Sequence, residues 1–220
     1  MCGIVGFASK KADYDKQAVL KEMMDRIAHR GPDGEGSYLD EGVALGHRRL
    51  SIIDLQGGAQ PMYNEDGSMV VIFNGEIYNF QELKAQLEEK GHVFATRSDT
   101  EVLLHGYEEW GKSLLQRLRG MFTFALWDKK ANTLFCARDH FGIKPLYYYQ
   151  NEGTLLFASE IKSFLEHPDF KKELNRDQLE LYLTYQYSPG ENTFFKGVKK
   201  LLPAHWMEWK EGKLQVERYW

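Results

Sequence analysis

Apolar residues along the chain fall into two patterns, which are short continuous runs and positions spaced three to four residues apart. The runs predict buried strands, and the spaced positions predict amphipathic helices with one buried face. The predicted strands are residues 4–7, 36–39, 42–47, 69–73, 121–127, 133–137, 146–149, 155–158, 205–208 and 214–218. The predicted helices are residues 15–28, 160–166 and 176–184, and two more begin after Asn79 and Ser98.

This order of elements predicts the fold class. Strands occur at both ends and in the middle of the chain, with the helices grouped between them. Short polar turns, such as residues 128–132 and 151–153, separate successive strands and imply antiparallel pairing. Two antiparallel sheets packed face to face, with helices outside, would bury this many strands. We therefore predict an α+β fold.

Composition and charge narrow the class of protein. A chain of 220 residues with 43% hydrophobic content can bury a sizeable core as one domain. The net charge of -4 and the scattered cationic residues argue against a nucleic-acid partner. No apolar run reaches about 18 residues, and no signal segment opens the chain, so we expect a cytoplasmic protein without membrane insertion. In that compartment we expect no disulfide between Cys2 and Cys136, and Cys136 should be an inert core residue.

The second residue of the chain is the first candidate for chemistry. If an aminopeptidase removes Met1, Cys2 becomes the N-terminal residue and carries both a thiol and a free α-amine. The thiol is a nucleophile when deprotonated, and an α-amine is partly neutral near pH 7 and can accept its proton. The alternative is that Cys2 is only the small apolar start of an edge strand.

Two polar segments in the first quarter of the chain are further candidates. The turn His29–Gly34 brings two cationic-capable side chains and an acid together, either as a tight structural loop or as a pocket rim. Arg48 and Arg49 are adjacent on a predicted strand, so at most one can face a given pocket. An inward arginine suits a carboxylate, because its planar fork can donate two parallel hydrogen bonds. The alternative is a solvated surface pair.

The strand at residues 69–73 ends at Asn74 and Gly75, where two interpretations are open. An Asn-Gly pair is typical of a hairpin turn. However, the residues after Asn79 have helical spacing, with Asn79 as a candidate cap. A strand-to-helix turn would leave the Asn74 amide and the Gly75 N–H free to stabilise an oxyanion.

Asp99, at the start of the helix predicted after Ser98, also has two possible roles. Ser98 and Glu101 have the spacing of a capping box, so Asp99 could interact favourably with the helix dipole. Alternatively, the Asp99 carboxylate could bind a cationic ligand group.

The segment Arg138–Pro145 contains adjacent Asp139 and His140, which point in different directions on an extended chain. We therefore predict a structural loop there.

Eight motifs together resemble the glutaminase half of glutamine-hydrolysing asparagine synthetases. They occur in the order of that family and cover essentially the whole chain. The resemblance implies the αββα fold of N-terminal nucleophile hydrolases, a four-layer sandwich of two antiparallel sheets. The motifs are Cys2–Gly6, His29–Gly34, Arg49–Ile52, Asn74–Asn79, Ser98–Asp99, Gly120–Phe122, Arg138–Pro145 and Ala158–Glu160.

The resemblance also implies catalytic roles. Cys2 would be the nucleophile and its freed α-amine the general base. Asn74, through its side chain, and Gly75, through its N–H, would form the oxyanion hole. The reaction would convert glutamine into glutamate and ammonia through a thioester on Cys2.

The same resemblance implies a binding site for the glutamine zwitterion. Arg49 would hold the α-carboxylate, while Asp99 and Glu76 would hold the α-ammonium. Leu50, Ile52 and Ile53 would complete the pocket. The resemblance implies no metal or cofactor in this chain.

In such enzymes ammonia passes to a C-terminal synthetase domain, which uses ATP and Mg²⁺ to activate aspartate. We expect a glutamine amidotransferase domain over residues 1–220, with a body at 2–190 and a closing hairpin at 191–220. The hairpin would lead into the absent synthetase domain, the second partner besides glutamine, and homodimer formation is left open.

Two other functions remain open. The chain could be the glutaminase domain of another class II amidotransferase, because the ammonia acceptor is chosen by the absent domain. If Met1 is retained, the α-amine is an amide, and the chain could be a non-catalytic module that binds glutamine.

Overall fold

A computed structural model of the chain describes residues 1–9, 13–51 and 58–220. These residues form twelve strands and five α-helices. The strands are β1 (Gly3–Ser9), β2 (Gly34–Leu39), β3 (Val43–Arg49), β4 (Met62–Tyr63), β5 (Met69–Ile77), β6 (Gly120–Asp128), β7 (Thr133–Arg138), β8 (Tyr147–Asn151), β9 (Thr154–Ala158), β10 (Val198–Lys200), β11 (His205–Lys210) and β12 (Lys213–Arg218). The α-helices are α1 (Lys16–Asp25), α2 (Phe80–Glu89), α3 (Glu101–Trp110), α4 (Leu114–Arg117) and α5 (Asp177–Tyr185), and 3₁₀ segments lie at Ala28–Arg30, Gly111–Ser113 and Ile161–Glu166.

The strands form two six-stranded sheets. The first sheet has the order β10-β8-β9-β1-β3-β2, and the second has the order β12-β11-β7-β6-β5-β4. Neighbouring strands are antiparallel in both sheets. The predicted α+β class is therefore confirmed. Among the described helices, none combines the length and the apolar character needed to cross a membrane.

Three hydrophobic layers hold these elements together. One layer lies between the two sheets, where residues such as Ile4 and Ile72 are fully buried. A second joins the outer face of the first sheet to α1, with Met23 and Met24 among its buried residues. The third joins the outer face of the second sheet to α2, α3 and α4. This arrangement is the predicted four-layer αββα sandwich.

The chain begins in the middle of a sheet, so the interpretation of Cys2 as the start of an edge strand is wrong. Strand β1 lies between β3 and β9, with Gly3 opposite Arg48 and Val5 opposite Ala158. Every residue of β1 is buried. Pairing on both sides fixes a terminus that would otherwise fray.

Strand β5 is longer than the sequence predicts, and the predicted turn at Asn74 and Gly75 is wrong. Both residues lie within β5, opposite Thr123 and Phe122 of β6. The strand continues to Ile77 because β6 offers a pairing partner along its whole length. A local Asn-Gly preference is thus overridden by strand pairing.

Of the two predicted helix caps, Asn79 has the predicted position and Ser98 does not. Asn79 is the N-cap residue of α2, but its side chain bonds to the backbone of Arg117 and Arg119. The N-cap residue of α3 is Thr100. Helix α3 begins at Glu101, whose carboxylate accepts hydrogen bonds from the N–H groups of Ala95 and Thr96. The Asn79 and Glu101 side chains therefore hold other chain segments against the starts of α2 and α3, and they contribute to tertiary structure.

The predicted structural loop after β7 is confirmed, and a buried aspartate organises it. The Asp139 carboxylate is fully buried and accepts hydrogen bonds from four backbone N–H groups, those of Phe122, Phe141, Ile143 and Lys144. The neighbouring Arg138 guanidinium donates to the carbonyl groups of Gly142, Lys144 and Leu201.

We expect Asp139→Asn to lower the free energy of unfolding by about 3 kcal/mol, because an amide cannot accept at both ends and hydrogen bonds to a charged group are the stronger kind. Urea denaturation at pH 7 measures this change. Asp13→Asn, at an exposed site, is the control and should stay within about 0.5 kcal/mol of the unsubstituted chain. Equal effects of the two substitutions would contradict the role of Asp139.

Candidate active site

A cavity of about 230 Å³ lies where the layer between the sheets ends. Side chains alternate along a strand, so Cys2 shares a face of β1 with buried Ile4, and Asn74 shares a face of β5 with buried Ile72. The apolar layer thus gives way to polar residues at the cavity. Its walls are formed by Met1, Cys2, Arg49, Leu50, Gly58, Gln60, Phe73, Asn74, Gly75, Glu76, Ser98, Asp99, Thr100, Met121 and Lys144.

Seven of the nine predicted site residues line this cavity. They come from β3, β5 and the segments before β1, after β3 and before α3, which are distant in sequence. The seven are Cys2, Arg49, Leu50, Asn74, Gly75, Glu76 and Asp99. The other two, Ile52 and Ile53, lie outside the described residues.

The Cys2 thiol is held by the backbone that follows β3. The Leu50 N–H donates to Cys2 Sγ at 3.3 Å, and Sγ lies 3.5 Å from the Leu50 carbonyl oxygen. On the other side, Arg30 Nε donates to the Cys2 carbonyl oxygen at 3.0 Å. A thiolate formed at this position would therefore already have one N–H donor.

The turn His29–Gly34 contacts the Cys2 backbone through Arg30 and does not form part of the cavity wall. Arg30 forms a 3.0 Å ion pair with Glu160. Burial alone would raise the pKa of Glu160, but hydrogen bonds from Arg30 and two other cationic side chains lower it to about 2. Asp33 accepts a hydrogen bond from the Ser51 N–H at 2.8 Å, which ties the turn to the end of β3. The structure thus favours the structural-loop interpretation.

The Gly75 N–H points into the cavity because of its place on β5. Backbone groups on a strand alternate in direction, and Phe73 and Ile77 donate their N–H groups away from β6, to Gln60 Oε1 at 2.6 Å and Asp99 Oδ2 at 2.9 Å. Gly75 lies midway between them and has the same direction. Strand β4 pairs only with the start of β5, so this edge is open at Gly75.

The neighbouring Asn74 side chain provides a second donor. Asn74 is only 1% exposed, and its Nδ2 has no hydrogen-bond partner within the described part of the chain. A Cβ on Gly75 would lie 2.2 Å from the Met121 carbonyl oxygen, so only glycine fits there. Both groups predicted as donors therefore lie at the cavity, where they are positioned by an open sheet edge and not by a turn.

The adjacent arginines face opposite sides of the first sheet, as strand alternation predicts. Arg48 donates to the Met24 carbonyl oxygen at 3.1 Å and forms ion pairs with Asp25 and Glu35. Arg49 instead lines the cavity. The interpretation as a solvated surface pair is therefore wrong, because the Arg48 side chain is only 12% exposed and Arg49 lines the cavity.

Asp99 and Glu76 make one part of the cavity wall acidic. Asp99 is 5% exposed, and burial raises the pKa of its carboxyl to about 6. The Ile77 N–H opposes this rise, whereas the nearby charge of Glu76 adds to it. A cationic ligand group would relieve this unfavourable ionisation. Asp99 therefore lines the cavity and lies two residues before the start of α3.

Three polar residues in or beside the cavity wall were not predicted, and two of them, Lys144 and His47, are buried. Lys144 is 6% exposed and lines the cavity, where Nζ contacts Met1 Sδ at 3.4 Å. Gln60 is half-buried, and it accepts a hydrogen bond from the Phe73 N–H and donates one to Thr100 Oγ1, so it joins β5 to the segment before α3. Burial lowers the pKa of His47 to about 4, so the neutral imidazole donates from Nε2 to the Phe73 carbonyl oxygen at 3.0 Å. Lys144 lies within a recognised motif, but sequence alone gave no sign that its side chain is buried.

These features define the class of protein. Two antiparallel sheets between helical layers form the αββα fold of N-terminal nucleophile hydrolases. The Cys2 thiol lies immediately before the central strand of the first sheet. The sequence matches the glutamine amidotransferase domain family over residues 1–220. The chain therefore belongs to that family.

Relatives and solved structures agree with this assignment. The chain is 42% identical over 226 residues to "Asparagine synthetase [glutamine-hydrolyzing] 3" and 45% identical over 207 residues to "Asparagine synthetase [glutamine-hydrolyzing] 1", both from Bacillus subtilis (strain 168). These matches cover 100% and 93% of the chain but only 36% and 33% of the relatives, so the chain spans about a third of their length.

Two solved structures share the fold at low sequence identity. Glutamine phosphoribosylpyrophosphate amidotransferase from B. subtilis has a TM-score of 0.71 at 18% identity, and the match covers 99% of this chain and 49% of that one. The allosteric regulatory enzyme of purine biosynthesis has a TM-score of 0.73 at 20% identity, with the same coverage of 99% and 49%.

The raised pKa of Asp99 predicts a pH-dependent effect on stability. The folded state holds the Asp99 proton more tightly than the unfolded state, so this carboxyl stabilises the fold least above pH 6 and most below its ordinary pKa of 3.8. Without ligand, Asp99→Asn should raise the free energy of unfolding at pH 8 by about 2 kcal/mol, and the gain should shrink as the pH falls toward 5.

Urea denaturation at both pH values measures this difference, with Asp13→Asn as the control. A gain that is the same at pH 5 and pH 8, or a loss at pH 8, would show that Asp99 is not under electrostatic strain.

Proposed function

We propose that this domain hydrolyses glutamine to glutamate and ammonia, with Cys2 as the nucleophile and Asn74 and Gly75 as the oxyanion hole. The observation that carries the proposal is the buried, unpartnered Asn74 amide in the same cavity as the Cys2 thiol. A buried donor without a partner is costly in a folded protein unless a ligand satisfies it. A developing oxyanion is the ligand that such a donor favours.

The charges of the cavity suit the two ends of an amino acid. Arg49 can donate two parallel hydrogen bonds to an α-carboxylate. Asp99 and Glu76 can accept from an α-ammonium, which would also offset the burial of Asp99. The N–H and C=O groups of Leu50 lie beside the sulfur and would border the side chain of the substrate.

In the proposed mechanism, the α-amine of Cys2 takes the thiol proton and the sulfur attacks the side-chain carbonyl carbon of glutamine. The negative charge that forms on oxygen is stabilised by the Asn74 amide and the Gly75 N–H. The α-amine then returns the proton to the leaving nitrogen, and ammonia departs. Water, deprotonated by the same amine, hydrolyses the thioester to glutamate and restores the thiol.

This mechanism requires that Cys2 be the first residue. In the 220-residue chain, Met1 precedes it, and the Met1 side chain occupies part of the cavity wall. Removal of Met1 would both create the basic amine and widen access to the thiol. The domain would also need a reducing compartment, such as the cytoplasm, to keep Cys2 and Cys136 as the free thiols seen in the structure.

We further propose that the ammonia serves ATP-dependent asparagine synthesis in a longer protein. Support comes from the names of the 42–45% identical relatives and from their greater length. Helix α5 leaves an apolar surface exposed, which a further domain could cover. Its exposed residues are Leu179, Leu181, Tyr182, Leu183 and Tyr185. ATP and Mg²⁺ would bind to that domain. A second candidate is transfer of the ammonia to another acceptor, because "Amidase chry2" from Gibberella zeae, 38% identical to this chain, is not named as an asparagine synthetase.

Removing one oxyanion donor should slow turnover without unfolding the domain. In the chain that begins at Cys2, we expect Asn74→Ala to lower kcat for glutamine hydrolysis by ~10²–10³-fold. Cys2→Ala should abolish hydrolysis. Ammonia release, measured with a coupled assay, gives both values, and circular dichroism checks the fold. A reduction below threefold for Asn74→Ala, or undiminished ammonia release by Cys2→Ala, would refute these roles.

The chain that begins at Cys2 should by itself form glutamate and ammonia but no asparagine when it is given glutamine, aspartate, ATP and Mg²⁺. Amino-acid chromatography of the products tests this, with the full-length B. subtilis asparagine synthetase as the positive control. Asparagine produced by the isolated chain would contradict the assignment of synthesis to a separate domain.

A further inference from the structure

A second cluster of ionisable groups lies away from the catalytic cavity. It is formed by Glu65 in the loop after β4, His92 after α2, and His105 and Glu108 on α3. One ligand atom from each residue lies within 4.8 Å of all the others. His105 and Glu108 are three residues apart on a helix, so they share a face. None of the four lines the cavity that contains Cys2.

The His105 imidazole is the strongest sign that a ligand is expected there. His105 is 1% exposed, and its Nδ1 has no hydrogen-bond partner among the described residues. This nitrogen lies 3.4 Å from Glu65 Oε2, although the contact lacks hydrogen-bond geometry. Buried ring nitrogens normally have a partner, so Nδ1 is left with an unused coordination position.

The other side of the same ring is oriented by a carboxylate. His105 Nε2 lies 3.3 Å from Glu101 Oε1. The Glu101 carboxylate is itself held in place, because it accepts hydrogen bonds from the N–H groups of Ala95 and Thr96. A carboxylate acceptor at this distance favours the ring proton on Nε2 and directs the Nδ1 lone pair into the cluster. Metal-bound histidines are oriented by carboxylates in this way.

The spacing of the four residues fits a small tetrahedral ion. Ligand atoms about 2.1 Å from a tetrahedral centre lie about 3.4 Å apart. His105 Nδ1 and Glu65 Oε2 are already 3.4 Å apart, and His92 Nδ1 lies 3.9 Å from Glu65 Oε1 and from Glu108 Oε2. Both glutamates are on the surface, so small side-chain rotations can close the remaining gaps.

We propose that Glu65, His92, His105 and Glu108 bind one structural Zn²⁺ ion. Two imidazoles and two carboxylates suit zinc, whereas Mg²⁺ and Ca²⁺ prefer oxygen ligands only. The ion joins the loop after β4, the end of α2 and α3. Because α3 begins two residues after Asp99, the ion also restricts the motion of the segment that contains this cavity residue.

The test uses metal-stripped chain with Cys2→Ala, so that the catalytic thiol cannot bind the added ion. Zn²⁺ is titrated by calorimetry, and Co²⁺ is titrated by visible absorption, whose intensity reports tetrahedral coordination. We expect one ion per chain, intense Co²⁺ bands, and a rise in the thermal midpoint on adding Zn²⁺.

Substitutions in the cluster distinguish specific Zn²⁺ binding at these four residues from non-specific binding elsewhere on the chain. His105→Ala and His92→Ala should weaken Zn²⁺ binding at least ~100-fold, and Glu101→Gln should weaken it ~10–100-fold through loss of ring orientation. Glu108→Gln, at an exposed position, keeps the test valid if a buried variant fails to fold. His205→Ala, outside the cluster, is the control and should bind as the parent does.

Absence of stoichiometric Zn²⁺ binding by the parent would overturn the proposal. Equal affinity in the parent and in Glu108→Gln would do the same, since zinc would then be bound elsewhere. In either case, the four residues would be a network of ion pairs.

Discussion

The structure depends on the pairing of β1 on both sides by β3 and β9. Chain ends are normally mobile, but here the first residues form a central, fully buried strand. The pairing continues to Gly3, and Cys2 Sγ meets the Leu50 N–H immediately beyond it. A reactive group at the terminus thereby gains the fixed position that catalysis requires, since small displacements of reacting atoms are costly.

Two groups in the wall of the cavity that contains Cys2 are incompletely satisfied in the free protein. The Asn74 amide has no hydrogen-bond partner among the described residues, and burial disfavours the charged form of Asp99. Both conditions reduce the stability of the fold, and both would be relieved by a ligand with an anionic oxygen and a cationic group. The same logic applies to His105 in the second cluster. In both proposals, a buried group without a partner marks the position where the ligand would bind.

Local sequence patterns predicted much of the architecture, and the family resemblance named seven residues that line the cavity. Alternation along a strand correctly separated Arg48 from Arg49, and the end of the apolar run at residues 69–73 drew attention to Asn74 and Gly75. The path of β5 was not predictable, because its extension depends on pairing with β6, which is more than forty residues away in sequence. The buried positions of Lys144 and His105 likewise depend on segments that meet only in the folded chain.

The central claim is that one terminal residue supplies both the sulfur and the proton acceptor. It is tested most directly by comparing two preparations, one beginning at Cys2 and one retaining Met1, each verified by intact mass. Both are treated with an alkylating analogue of glutamine and assayed for ammonia release. The account predicts that only the first preparation is labelled at Cys2 and hydrolyses glutamine. Equal labelling and equal hydrolysis by the chain that retains Met1 would contradict it.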